Sequence, residues 1–178
     1  MTNKDNFLRS LHHARIEHTK WVSKMRLLST GTFDSETKAQ NSFFETNFAQ
    51  WFHEKASYLI FDKDCSSLKE IESLIQHIDT EYILLYNISI KNRSKTFLGK
   101  VKPFTSQEES SSEKYYNAIK IITVKLEKLL EDASSELLNI SEDKFSFMEF
   151  NKEKSDMIHN TPNKSKISHS GARGAYQE

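Results

Sequence analysis

The chain has 178 residues, room for one ordinary domain and a tail but not for two. Its 25 basic and 25 acidic residues cancel to a formal net charge of zero, and no dense basic block offers a footprint for nucleic acid. With 37% hydrophobic residues, only 4 Gly and 2 Pro, and a mean hydropathy of −0.65, the composition argues against a turn-rich β fold and for long helices beside a stretch too polar to fold.

The stretch from Met1 to Leu11 is polar and lacks an apolar core of signal-peptide length. From about Asn6 to Ser29, Phe7, Leu11, Ala14, His18, Trp21, Met25 and Leu28 recur at steps of four and three, a heptad-like stripe that turns His18 inward. Gly31 suits the end of that helix. A second helix or helix pair is predicted from Asp34 or Ser35, either of which can cap it, to Leu59. Its aromatic cluster of Phe43, Phe44, Phe48, Trp51 and Phe52 reads as core.

The turn-rich run from Asp62 to Ser67 holds the only cysteine, Cys65, which excludes an internal disulfide framework and suits a reducing compartment. Ser67 followed by Glu70 has capping-box spacing. A third helix is predicted from about Leu68 to Ile90, with Ile71, Leu74, Ile75, Ile78, Tyr82, Leu85 and Ile88 as its apolar face and His77, Glu81 and Leu84 one helical step aside. Residues 93–112 read as a connection. A fourth helix, 113–140, carries Tyr115, Ile119, Ile122, Leu126, Leu129, Ala133 and Leu137. Ile121, Val124, Leu130 and Leu138 widen that face enough to close a bundle or to meet a partner. Residues 141–178 read as a mostly disordered tail in which Phe145, Phe147, Met148 and Phe150 dock locally. No apolar run approaches the roughly 20 residues of a membrane-spanning helix, so no membrane insertion and a cytoplasmic location are expected.

The histidines carry the best chemical lead. Residues four apart share a helix face, so His77 and Glu81 form one, and His18 on its stripe offers a second imidazole. Zinc accepts imidazole nitrogen and carboxylate oxygen alike. In three motifs the chain resembles the chemoreceptor zinc-binding domain, a bacterial four-helix sensory module. The family's His-x-x-Trp is matched by His18-Thr19-Lys20-Trp21, its Cys-x-Leu/Phe-Gly-x-Trp by Thr46-Asn47-Phe48-Ala49-Gln50-Trp51, and its His-x-x-x-His by His77-Ile78-Asp79-Thr80-Glu81. The match covers residues 8 to 90, with domain 1–92 as the bundle region.

The resemblance implies an all-α, antiparallel four-helix bundle, here with a long additional or closing C-terminal helix. It also implies a zinc site at His18, Thr46, His77 and Glu81, and a homodimer or a signalling partner in chemotaxis. Thr46 stands at the family's Cys position and a neutral hydroxyl is a poor zinc ligand, so the implied set is His18, His77, Glu81 and water. Two residues offer themselves in place of the missing thiolate, and each is poorly placed for it. His53 lies about 10 Å further along its helix than Thr46, and Cys65 lies in a loop that would have to fold back.

Three functional readings follow. The first is a zinc-binding regulatory module in which the metal orders helices and the surface contacts another protein. The second is a metal-free helical interaction or scaffold protein. The third, ranked last, is a metal-dependent hydrolase-like centre, because Glu81 would be spent as a ligand and no further base is placed. The expectation is therefore a non-enzyme with no catalytic residue.

Overall fold

The first predicted stripe becomes α1, Asn3–Ser29, in a computed structural model that describes residues 2–32, 42–91, 97 and 102–159. Thr2 caps it, accepting the Asp5 N–H at 3.2 Å while the Asp5 carboxylate accepts the Thr2 N–H at 3.2 Å. Every stripe residue, from Phe7 to Leu28, is buried. At the far end Gly31 adopts φ 67°. Its N–H donates to the Leu28 carbonyl at 3.1 Å and the Thr32 N–H to that of Leu27 at 3.2 Å, a left-handed cap that a side chain with a Cβ would strain.

The second segment is not one helix. A 3₁₀ turn at Phe43–Glu45 precedes a short α2, Asn47–Trp51, which runs into a π turn at Phe52–Ala56 and a 3₁₀ turn at Ser57–Phe61. The expected caps Asp34 and Ser35 lie outside the described residues. The reason for the break is phase. Phe43 and Phe48 are both buried, yet five residues on a straight α-helix rotate about 140° off one face. The backbone breaks at Thr46, and both rings then face inward. The segment runs opposite to α1: Phe43 lies against Trp21, and Trp51 Nε1 donates to Ser10 Oγ at 2.9 Å.

α3, Ser66–Tyr86, continues into a π turn at Asn87–Lys91. Its start is held by another helix rather than by the expected Ser67–Glu70 box. The carboxylate of Glu136 accepts Ser66 Oγ at 2.9 Å, Ser67 Oγ at 3.0 Å and the Ser67 N–H at 3.2 Å. An anion is favoured there by the unpaired N–H groups of a helix start.

Glu136 belongs to α4, Ser106–Asn139, which begins inside the expected connection because Thr105 and Glu108 form a capping box. α4 packs along both α1 and α3 and is antiparallel to each. Ser112 Oγ donates to the Ser29 carbonyl at 2.9 Å near one end, and Lys4 Nζ to the Ile140 carbonyl at 2.7 Å at the other. Ile119, Leu126, Leu129, Leu130, Ala133 and Leu137 are buried. Of the residues expected to widen the face, Leu130 is buried, but Ile121, Val124 and Leu138 stand exposed.

The tail expected from residue 141 is corrected over its first part. Glu142–His159 forms α5, with Phe145 fully buried and its ring edge on Phe7 at 5.5 Å. Lys144 Nζ bonds Asp62 at 2.9 Å and Asp64 at 2.6 Å. The remainder of the expected tail, 160–178, lies outside the described residues. The described chain is all-α, and no helix in it is long and apolar enough to cross a membrane.

Two substitutions check these ties by urea unfolding. Phe145→Ala should cost about 3–5 kcal/mol, the usual range for emptying a buried ring site. Glu136→Ala should cost about 1–2 kcal/mol by leaving the start of α3 without its acceptor, and Glu136→Gln should recover part of that.

Candidate functional site

His18 sits at the centre of a ring cluster. It is 1% exposed, stacked on Trp21 at 5.9 Å, edge-on to Phe43 at 5.8 Å and 5.0 Å from Phe48. Trp21 in turn meets Phe43 at 4.7 Å and Tyr82 at 5.3 Å. α1 therefore delivers the imidazole, the 43–48 stretch covers it, and α3 closes the far side through Tyr82. Neither ring nitrogen of His18 has a hydrogen-bond partner, nor does Trp21 Nε1. Burial among apolar rings disfavours the imidazolium and pushes the His18 pKa down to about 4, so the ring is neutral near pH 7.

The other expected ligands do not join it. Thr46 is buried and near by in the fold, but its hydroxyl accepts the Ala49 N–H at 3.2 Å as the cap of α2. His77 is exposed and Glu81 partly so. The buried positions of α3 at this level are Ile78 and Tyr82, each one residue later than the motif positions. One residue is about 100° of helix rotation, enough to turn His77 and Glu81 out of the core. His53 is exposed. Cys65 is buried at the start of α3, and burial raises its thiol pKa to about 12, which leaves it inert. Among the described residues, no group of three or more His, Cys, Asp or Glu side chains could hold a metal ion. The residues present thus do not fit the zinc set that the resemblance implies: one buried imidazole faces rings, and its proposed co-ligands face water or their own helix.

Asp79, outside the expected ligand set, does the polar work of that motif. Its Oδ1 accepts Ser42 Oγ and the Phe43 N–H, each at 2.7 Å, and so fixes the 3₁₀ turn that places Phe43 over His18. Ser42 ahead of two phenylalanines was a local hint of a cap, but its partner lies 37 residues away.

A second feature lies further along the broken segment, beyond Trp51. A groove of about 770 Å³ runs between the stretch from His53 to Asp62 and α5, with Tyr58, Phe61, Phe147 and Met148 along it. Phe147 and Phe150, expected to dock locally, are exposed.

No family model, curated protein or solved structure matches this chain. The resemblance to the chemoreceptor zinc-binding domain stands on the quoted residues alone.

The buried imidazole makes a signed prediction. Between pH 6.5, the ordinary value, and about 4, the unfolded chain takes up a proton at His18 that the folded chain does not. The contribution of His18 to stability is therefore intact above pH 6.5 and declines as pH falls toward 4. The total loss is about 3 kcal/mol at about 1.4 kcal/mol per pH unit. Melting temperature measured from neutral to acid pH should fall more steeply for the native chain than for His18→Leu. Parallel profiles would refute it.

Proposed function

We propose that this chain is a metal-free helical interaction protein. In this reading α1, the broken 43–61 segment, α3 and α4 make an antiparallel four-helix bundle, cytoplasmic in setting, whose interior is structural and whose surface meets other proteins. The observation that carries it is the phase of α3. Ile78 and Tyr82 occupy the inward positions opposite α1, and His77 and Glu81 do not. His18 accordingly reads as a core residue. Its unpartnered nitrogens cost about 1–3 kcal/mol each if left dry, a cost offset by the ring burial around it.

The reading is also non-enzymatic. Rings wall off His18, and the Cys65 thiol is held protonated. The zinc-regulated sensory module remains the second reading, favoured by those same unpartnered imidazole nitrogens, which a metal would satisfy.

Metal analysis separates the two. Protein purified without chelator should carry zinc well below one equivalent, and its melting temperature should not respond to added zinc or to EDTA. His77→Ala should behave identically. Stoichiometric zinc that disappears in His77→Ala, with a melting temperature that tracks it, would overturn the metal-free reading in favour of the second.

A further inference from the structure

We propose that α5 is a releasable strap. It lifts from the bundle as one unit, hinged at Ile140 and Ser141, while α1, α3 and α4 stay folded, and the ionic clamp at Lys144 sets how often it opens. The inference goes beyond the interaction reading and does not depend on it.

The seat of α5 is narrow. Among its described residues Phe145 alone is buried, in the first turn, with its ring on Phe7. Beyond that turn the helix is undercut on either side. A cavity of about 380 Å³ lies between Glu149 and Lys152 of α5 and the start of α1, where Asn6 and Phe7 line it. The groove of about 770 Å³ lies between Phe147, Met148 and Asn151 and the 53–62 stretch. Such spaces forfeit the dispersion contacts that close packing supplies.

Polar ties complete the seat. Lys144 Nζ bridges Asp62 at 2.9 Å and Asp64 at 2.6 Å, with all three side chains partly exposed. Glu142 Oε1 accepts the Lys4 N–H at 3.3 Å, and Lys152 Nζ donates to the Glu54 carbonyl while lying 5.2 Å over the Tyr58 ring. Partly exposed ion pairs are weak and screened by salt. By contrast, α4 buries Ile119, Leu126, Leu130, Ala133 and Leu137. Releasing α5 gives up one ring and a few polar ties, whereas releasing α4 dissolves the core, so the two open at different free energies.

The hinge is already built. Ile140 is extended, at φ −73° and ψ 134°, and interrupts the helix between α4 and α5. Ser141 then restarts it, its Oγ accepting the Lys144 N–H at 3.3 Å. Once released, an isolated helix of 18 residues is marginal in water, so lifting and unwinding coincide. Opening uncovers Phe7 and frees the Asp62 and Asp64 carboxylates.

Amide hydrogen exchange of the full chain, followed residue by residue by NMR, tests the proposal. Amides from Phe147 to Asn151 should be about a hundredfold less protected than those from Leu126 to Ala133. They should also be nearly equal among themselves, the mark of one opening unit rather than of fraying from the far end. Lys144→Met should speed exchange in α5 about tenfold and leave α4 unchanged, and Asp64→Asn should act in the same direction. Sodium chloride at ~1 M should speed α5 exchange in the native chain but not in Lys144→Met. Lys125→Met, which removes an exposed pair with Glu70, is the control and should leave α5 exchange unaltered. Exchange of α5 no faster than that of α4, protection that climbs steadily from Asn151 back to Phe147, or a Lys144→Met chain indistinguishable from the native one would overturn the proposal.

Discussion

Trp21 is where separate stretches of chain are forced to agree. Its ring meets Phe43 from the broken segment at 4.7 Å, Tyr82 of α3 at 5.3 Å, and His18 of its own helix at 5.9 Å. Each such pair is worth about 0.5–1.5 kcal/mol beyond the area buried. The cluster also carries three ring nitrogens without partners. Their combined cost is of the same order as the ring pairing, so the site is stable chiefly through the area it removes from water and through the neutrality of His18. Burial among those rings disfavours a protonated imidazole in that cage, which is why its pKa is lowered.

Hydrophobic burial has no direction of its own, and polar ties at the helix ends supply it. Lys4 reaches across to the last carbonyls of α4, Glu136 receives the first residues of α3, and Ser112 meets the end of α1. Each joins a terminus that would otherwise leave backbone groups unsatisfied. Together they fix α4 in one register between its neighbours. Asp79 plays the same part for the broken segment, with two 2.7 Å bonds at its first turn.

The sequence made the long helices legible because their stripes are continuous: all seven stripe residues of α1 are buried, as are those of α3 from Ile71 to Leu85. It concealed whatever depended on long-range partners. The break at Thr46 becomes necessary only once Phe43 and Phe48 must both meet His18. α5 looked like a tail by composition, and what orders it is Phe145 against Phe7 and Lys144 against Asp62, contacts between residues far apart in the sequence. Spacing along the chain favours His77 and Glu81 as metal ligands, but helix phase, equally present in the sequence, does not. Ile78 and Tyr82 lie on the apolar stripe, and His77 and Glu81 lie one step off it.

The same phase rule accounts for the exposed aromatics. On α5, Phe145 is fully buried, so a residue two positions later is turned about 200° around the axis and Phe147 must face away from the core. No rotation of α5 can bury both Phe145 and Phe150 against α1, because five residues again differ by about 140°. The broken segment resolved this conflict by interrupting its helix at Thr46; α5 continues unbroken through Phe150 and leaves the ring outside. Keeping the helix straight therefore has an apolar face in water as its geometric consequence. The ion cluster at Lys144 holds that face next to Phe61 instead of letting the helix swing free.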